Sequence, residues 1–245
     1  VNIERDRYYY NQTRSVSDID RHAILTGSLL YGYSEGKLEI YNGAILFLPD
    51  SGIVKKYRKI HLVPFSEKMP YSRYIPVLKK VDFGGGDFTH GKEYVVFEVK
   101  KKRFATLICF ESIFGDLTRN FVLNGIDFLV NITNDGWFGN TPGPYQHAEM
   151  AILRAVENRM PLIRCANTGV SMIVDQYGRV LNKTKIFERA LIVADVPMGN
   201  RKSLYLKFGD FLPWFSIILS AILIVLKSIG FGRSSSIPGK SPDEI

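Results

Sequence analysis

The chain has 245 residues, 46% of them hydrophobic and 23% charged, which is enough apolar material for one α/β domain with an appendage or two small domains and too much for a disordered chain. Its formal charge of +8 does not by itself point to nucleic acid, because the basic residues are scattered through strand-like stretches such as Val54 to Lys59 and Val99 to Arg103. A solvated sheet edge or a contact with anionic lipid headgroups accounts for them equally well, and neither zinc-finger spacing nor an RNA-binding signature occurs.

The first residue is Val1 and the opening run to Arg7 is polar, so the chain reads as a piece of something longer. Residues 23–33 and 39–48 are expected as strands joined by a turn at 34–37. A second turn at 49–52 leads to a short strand over 53–57. From Phe65 to Gly91 no period holds, and Pro64, Pro70, Pro76 and Gly84-Gly85-Gly86 mark a long loop. Loops of that length in compact domains are usually functional, often lids. The three glycines lack the spacing and following helix of a dinucleotide fingerprint.

Strands are expected next over 94–99 and 104–109, then a helix over 113–123 with Phe114, Leu117 and Phe121 on one face, then a strand over 126–132 buried on both sides. A helix over 145–159, strands over 161–166 and 170–175, a turn at Tyr177-Gly178 and a last strand over 189–196 complete an interleaved α/β pattern. Residues 211–226 form an uncharged, largely apolar run that covers about 24 Å of the roughly 30 Å hydrocarbon core. With Lys227 snorkelling and Trp214 near one interface, a membrane helix is expected over 208–231, followed by a polar tail over 232–245. A buried core helix is the alternative.

Cys109 ends the apolar run Phe104-Ala105-Thr106-Leu107-Ile108, and helix-like sequence follows it. A thiol at a strand-to-helix turn can stand at the rim of a sheet, near backbone N–H groups and a helix N-terminus that favour the thiolate. The alternative is a small buried hydrophobe, the role assigned to Cys165, and the two cysteines make no disulfide framework. A thiolate nucleophile needs a cation, a base and oxyanion donors, and Lys59 is the best cation. Trp137 and Phe138, beside glycines, are either exposed aromatics that meet acyl chains or headgroups, or packing beneath the cysteine. Asn134 and Asp135 suit turn hydrogen bonds.

Tyr57-Arg58-Lys59, followed by His61-Leu62 and by Glu67 eight residues after the lysine, resembles the lysine motif of the nitrilase superfamily, and Cys109 lies 50 residues on in that superfamily's order. Within it, the segments Thr133-Asn134-Asp135-Gly136-Trp137-Phe138-Gly139, Gly143-Pro144-Tyr145-Gln146-His147, Arg154-Ala155-Val156-Glu157, Pro161-Leu162-Ile163-Arg164 and Asn167-Thr168-Gly169-Val170-Ser171 resemble the apolipoprotein N-acyltransferase family, from about residue 23 through the terminal apolar helix.

That resemblance implies a nitrilase-like α/β/β/α sandwich over 1–200, incomplete at its N-terminus, with one C-terminal transmembrane helix. It makes Cys109 the nucleophile that takes an acyl chain from a phospholipid donor as a thioester. The acceptor is the N-terminal amine of a diacylglyceryl-modified apolipoprotein. Lys59 would stabilise thiolate and oxyanion, with Glu67 and Glu111 as accessory carboxylates and His61 and His147 structural. Glu111 would orient Lys59 or the incoming amine; otherwise it is an acid complementing a helix N-terminus, worth about 0.3–1 kcal/mol. Trp137 and Phe138 would be substrate-binding. The resemblance further implies no metal or diffusible cofactor, no nucleic-acid partner, a monomer, and a bacterial inner membrane location with the domain facing the periplasm.

The superfamily's general base, a glutamate in a Pro-Glu segment well before the lysine, has no counterpart among Glu4, Asp6, Asp18, Asp20, Glu35, Glu39 and Asp50. It is expected upstream of Val1, and the isolated chain is expected to be inactive or nearly so. Two further readings are a soluble nitrilase-like amidohydrolase, in which water resolves the thioester, and a non-catalytic membrane-tethered module.

Overall fold

A computed structural model describes residues 1–69, 87–198 and 202–231. Strand β2 (Lys37–Leu48) sets the layering, because Ala44, Ile45, Leu46 and Phe47 are all buried and successive side chains of a strand face opposite ways. Ala44 and Leu46 enter the main core, whereas Ile45 and Phe47 join a separate cluster with Ile3, Leu30 and Tyr41. Each face of the strand therefore needs its own cover.

β2 is the centre of a three-stranded antiparallel sheet with β1 (Ile24–Ser34) and β3 (Gly52–Arg58). The β1–β2 hairpin closes on Glu35 and Gly36, at φ 50° and 76°, the left-handed pair that matches strand twist. Helix α1 (Arg7–Asp20) covers the outer face, its Tyr10 ring 5.6 Å from that of Phe47 and its first turn capped by the Asp6 carboxylate.

A six-stranded sheet runs in the order β4 (Phe97–Val99), β5 (Lys102–Ile108), β6 (Phe128–Thr133), β7 (Leu162–Ala166), β8 (Met172–Val174) and β9 (Val180–Lys183). β5, β6 and β7 are mutually parallel, and the outer pairs are antiparallel. Parallel neighbours need crossovers, supplied by α2 (Gly115–Leu123) and α3 (Gly143–Asn158). Leu117 and Phe121 of α2 and Ala148, Ala151 and Ala155 of α3 belong to the same core as Ala44, Leu46 and Tyr57 of the first sheet. The layers are thus α1, three strands, six strands, then α2 with α3: a nitrilase-like α/β/β/α sandwich.

Several expectations shift. Residues 189–196 are irregular, with Leu191 86% and Val193 84% exposed, and the last place in the ladder goes to β9, a strand too short and too polar to signal itself. The helix expected over 113–123 is a 3₁₀ turn at Cys109–Ile113 followed by α2. Helix α1 was not anticipated; it buries only Ser17, and its three consecutive tyrosines break any helical period. Most of the lid-like loop, residues 70–86, and the tail from 232 onward lie outside the described residues.

Val1–Leu206 forms one compact unit, and a second begins at Lys207. The apolar segment expected over 208–231 is divided between α4 (Leu204–Phe208) and α5 (Phe211–Phe231), with Gly209 at φ 58° between them. The 21 residues of α5 rise about 31 Å, and the window Phe211–Ser228 has a mean hydropathy of 2.0 with none of it buried. The helix is long and apolar enough to cross a membrane.

Gly91 sets how closely the segment after residue 87 approaches the end of β3. Its N–H donates to Lys59 O at 2.6 Å, and a Cβ there would overlap the Arg58 carbonyl oxygen. Gly91→Ala should therefore cost about 2 kcal/mol, read as a lower urea midpoint at unchanged m-value.

Candidate active site

β5 ends at Ile108, and the backbone turns sharply there. Cys109 takes φ 53° and opens the 3₁₀ turn Cys109–Ile113. A non-glycine residue in the left-handed region costs of order 1–3 kcal/mol and persists only where its surroundings hold it. Its carbonyl oxygen is held by Ser112 Oγ at 3.1 Å, His147 Nε2 at 3.2 Å and Asn131 Nδ2 at 3.3 Å. The half-buried side chain stands at the wall of a cavity of about 440 Å³ lined from both sheets, by Thr26, Gly27 and Asn42 on one side and Ile108, Ile132 and Cys165 on the other.

Lys59 leaves the end of β3 with its N–H donating to Asn42 O at 2.8 Å. Its side chain is fully buried, and Nζ donates to Glu67 Oε2 at 2.7 Å. Glu67 also accepts from Val63 N at 2.8 Å and Asn42 Nδ2 at 2.7 Å. A buried ammonium is tolerable only with such a partner, and the partner's other lone pairs are themselves satisfied. Among the described residues Glu67 is the one carboxylate in the cavity wall, beside Cys109; Lys59 stands behind it and does not line the cavity.

Glu111 lies outside that wall and is fully buried. Its Oε1 accepts from Ile60 N at 2.7 Å, Tyr57 Oη at 2.8 Å and His61 N at 3.1 Å, and its Oε2 from Ile108 N at 2.8 Å. Burial pushes its pKa up, opposed by these donors and by the charge of Lys59; burial, with Glu111 alongside, pushes Tyr57 up as well. Glu111 thus holds the backbone of the two residues that follow Lys59.

On the opposite face of the six-stranded sheet, beneath the elbow, Asn131 and Arg164 are register partners in β6 and β7. The Arg164 guanidinium donates to Asn131 Oδ1, to Asp135 Oδ2 at 2.8 Å and to Val170 O at 3.2 Å. His147 Nδ1 lies 2.9 Å from Asp135 Oδ1. Burial opposes the Asp135 charge, yet the His147 hydrogen bond and the charge of Arg164 hold its carboxyl below the usual range. Burial likewise pulls Arg164 down, against Asp135 and the nearby Cys109 sulfur.

Some assignments change here. Asp135 belongs to a buried ion pair, where turn hydrogen bonding was expected; Asn134 does make the turn bond, its Oδ1 accepting from Gly136 N at 3.1 Å. Cys165 was expected as packing but is exposed in the cavity wall, because it is the ladder partner of Ile132 and shares its face. His61 stacks on Phe114, whereas His147 touches the elbow itself. Trp137 is 74% exposed at the cavity wall; Phe138 packs over His147, ring centroids 6.0 Å apart, and does not reach that wall. Among the described residues no three His, Cys, Asp or Glu side chains cluster as metal ligands.

A thiol at a strand end beside a buried lysine–glutamate pair, on two packed sheets flanked by helices, is the arrangement of nitrilase-type proteins. Residues 20–205 match the carbon-nitrogen hydrolase family, and the chain belongs to it. It is 36% identical over 225 residues, 89% of its length, to a protein named apolipoprotein N-acyltransferase from Geobacter metallireducens, and 38% identical over 197 residues, 77% of its length, to one of the same name from Chlorobaculum tepidum. The chain spans less than half the length of these curated relatives, 43% and 37%. In structure it resembles a variant of the amidase from Nesterenkonia sp. AN1 with acrylamide added at its active-site cysteine (TM-score 0.58, 19% identity, covering 89% of this chain and 78% of that one). It also resembles Saccharomyces cerevisiae Nit3, of the nitrilase superfamily (TM-score 0.55, 18% identity, covering 74% and 62%).

Glu111→Ala would leave a hydroxyl and three N–H groups without their acceptor and should cost about 3 kcal/mol or more, measured by urea denaturation. The folded pKa of Asp135 is below the unfolded value of about 3.9, so its contribution is fully present above that pH and is lost as pH falls through the folded value. Asp135→Asn should accordingly flatten part of the fall in urea midpoint below about pH 4.

Proposed function

We propose that this chain carries the catalytic cysteine of an apolipoprotein N-acyltransferase. The observation that carries the reading is Cys109, in a left-handed elbow, sharing a cavity wall with Glu67, itself paired to buried Lys59. Relatives of that name at 36% and 38% identity support the substrate class, and the apolar α5 supports a membrane setting.

In the first half-reaction the Cys109 sulfur attacks the ester carbonyl of a phospholipid. The C–S bond forms, the C–O bond breaks, and the lysophospholipid leaves with the proton the thiol gave up. Glu67 orients the Lys59 ammonium, whose charge stabilises thiolate and oxyanion together with backbone N–H groups of the elbow. In the second, the α-amino group of a diacylglyceryl-cysteine at the start of a lipoprotein attacks the thioester. The C–N bond forms, the C–S bond breaks, and the proton lost from the amine returns to the sulfur, which is regenerated as the thiol. Polarisation by Lys59 and backbone donors makes a metal or diffusible cofactor unnecessary to these steps.

Glu111 serves by fixing the backbone next to Lys59. Trp137 meets acyl chains or headgroups at the cavity mouth, and Phe138 supports its loop from below. The setting is the bacterial inner membrane, with α5 as a span, the α/β/β/α domain on the periplasmic side, and a monomer as the working unit.

In the full-length protein, Cys109→Ala should abolish the labelled acyl-enzyme formed from radiolabelled phospholipid, and labelling at the wild-type level would overturn the assignment. Ammonia release from small amides, without acyl transfer to a diacylglyceryl lipopeptide, would favour the amidohydrolase reading that the amidase-like fold motivates.

A further inference from the structure

The elbow that presents Cys109 rests on a charged cluster that the acyl-transfer steps do not use. Arg164 is 1% exposed, Asp135 0% and His147 3%, all buried beside a largely apolar core. A guanidinium–carboxylate pair buried there gains little stability over well-packed apolar side chains of the same volume, so stability alone does not explain it.

Two arms leave the cluster and converge on one atom. Arg164 holds Asn131 Oδ1, and Asn131 Nδ2 donates to Cys109 O at 3.3 Å. Asp135 holds His147 Nδ1 at 2.9 Å, and His147 Nε2 meets the same oxygen at 3.2 Å. A carbonyl oxygen only accepts, so this contact requires the imidazole proton on Nε2. Arg164 Nη2 lies 3.1 Å from Nδ1, so both members of the ion pair face that edge of the ring. The ring is thus held between the ion pair on one side and the Cys109 carbonyl, with Ser112 Oγ at 3.3 Å, on the other.

We propose that Arg164, Asp135 and His147 are positioning residues for Cys109: by gripping its carbonyl oxygen they hold its left-handed backbone and so set the direction and reactivity of the thiol. This rests on the reading of Cys109 as the nucleophile. The same cluster anchors a second stretch of the cavity lining. Asp135 introduces the turn Gly136–Phe138 that carries Trp137, and the backbone at Gly169 lies so close that a Cβ would overlap Asp135 Oδ2. Elbow and aromatic loop therefore share one anchor. Asp135 also accepts from Thr133 Oγ1 at 2.9 Å, which ties the end of β6 into it.

The two cysteines make the test self-referenced, because both line the cavity and only Cys109 is gripped by the cluster. Iodoacetamide alkylation of each is followed by mass spectrometry in the intact chain, with a urea transition confirming that every variant is folded. His147→Leu, which leaves the Arg164–Asp135 pair intact, and the double variant Arg164→Met with Asp135→Asn, which strands no lone charge, should each lower the Cys109-to-Cys165 rate ratio about tenfold. His147→Gln, which keeps an N–H in place, should stay within about twofold. An unchanged ratio in either folded variant overturns the proposal, and if one variant fails to fold the other decides. Alkylation needs neither lipid nor acyl transfer, so this outcome is independent of the acyl-enzyme experiment that tests the nucleophile itself.

Discussion

One buried carboxylate joins two sheets that share no ladder. Glu111 takes hydrogen bonds from Tyr57, Ile60 and His61 on the side of the three-stranded sheet and from Ile108 at the end of β5. Sheets packed face to face slide easily when only apolar side chains meet, because dispersion and hydrophobic contact are non-directional. Four directional bonds to one group remove that freedom, and each is strong because the surroundings are dry. The distance between the lysine segment and the cysteine elbow is thereby fixed by hydrogen bonds. Everything on the cavity wall depends on that spacing.

The central strands carry polar seams on both faces, and Cys109 stands where they meet. On the inter-sheet side are Lys59, Glu67 and Glu111; on the helix side are Asn131, Arg164, Asp135 and His147. An apolar core of the same shape would fold at least as stably. What the polar groups supply is a held geometry: a backbone turned through a sparsely populated region, a thiol left half-exposed, and a carboxylate aimed into the same space. The residues that destabilise the fold locally are those that organise its site, a trade common where function is built into a core.

Much of this was legible in the sequence because it rests on local pattern. The strand over 39–48, the turn at 34–37 and the alternation of strands with α2 and α3 all follow from period and turn chemistry. Cys109 at a strand end follows from the same local reading, whereas Glu67 eight residues after Lys59 is marked by the resemblance to the nitrilase lysine motif. The cluster beneath the elbow was not legible. Asn131 and Arg164 are single polar residues in two apolar strands, and they become partners only once β6 and β7 are known to lie side by side in that register. A local signal was the anomaly itself, an asparagine and an arginine where doubly buried strands want valine or leucine, while Asp135, His147 and Arg164 also fall in the segments that carry the family resemblance. The exposure of Cys165 likewise depends on register, which decides the face it takes. Strand β9 and helix α1 were missed because each gains its stability from neighbours more than from its own sequence.

Helix α5 has a colloidal consequence. Along 18 residues of mean hydropathy 2.0 its side chains are exposed, a continuous apolar cylinder far larger than the patches that water-borne monomers display. In aqueous buffer the cheapest way to cover that surface is with the same surface on another copy, so particle size there will report helix clustering and say nothing about the sandwich. In a detergent micelle or a lipid nanodisc the cylinder is solvated, and particle size then reflects the folded unit itself.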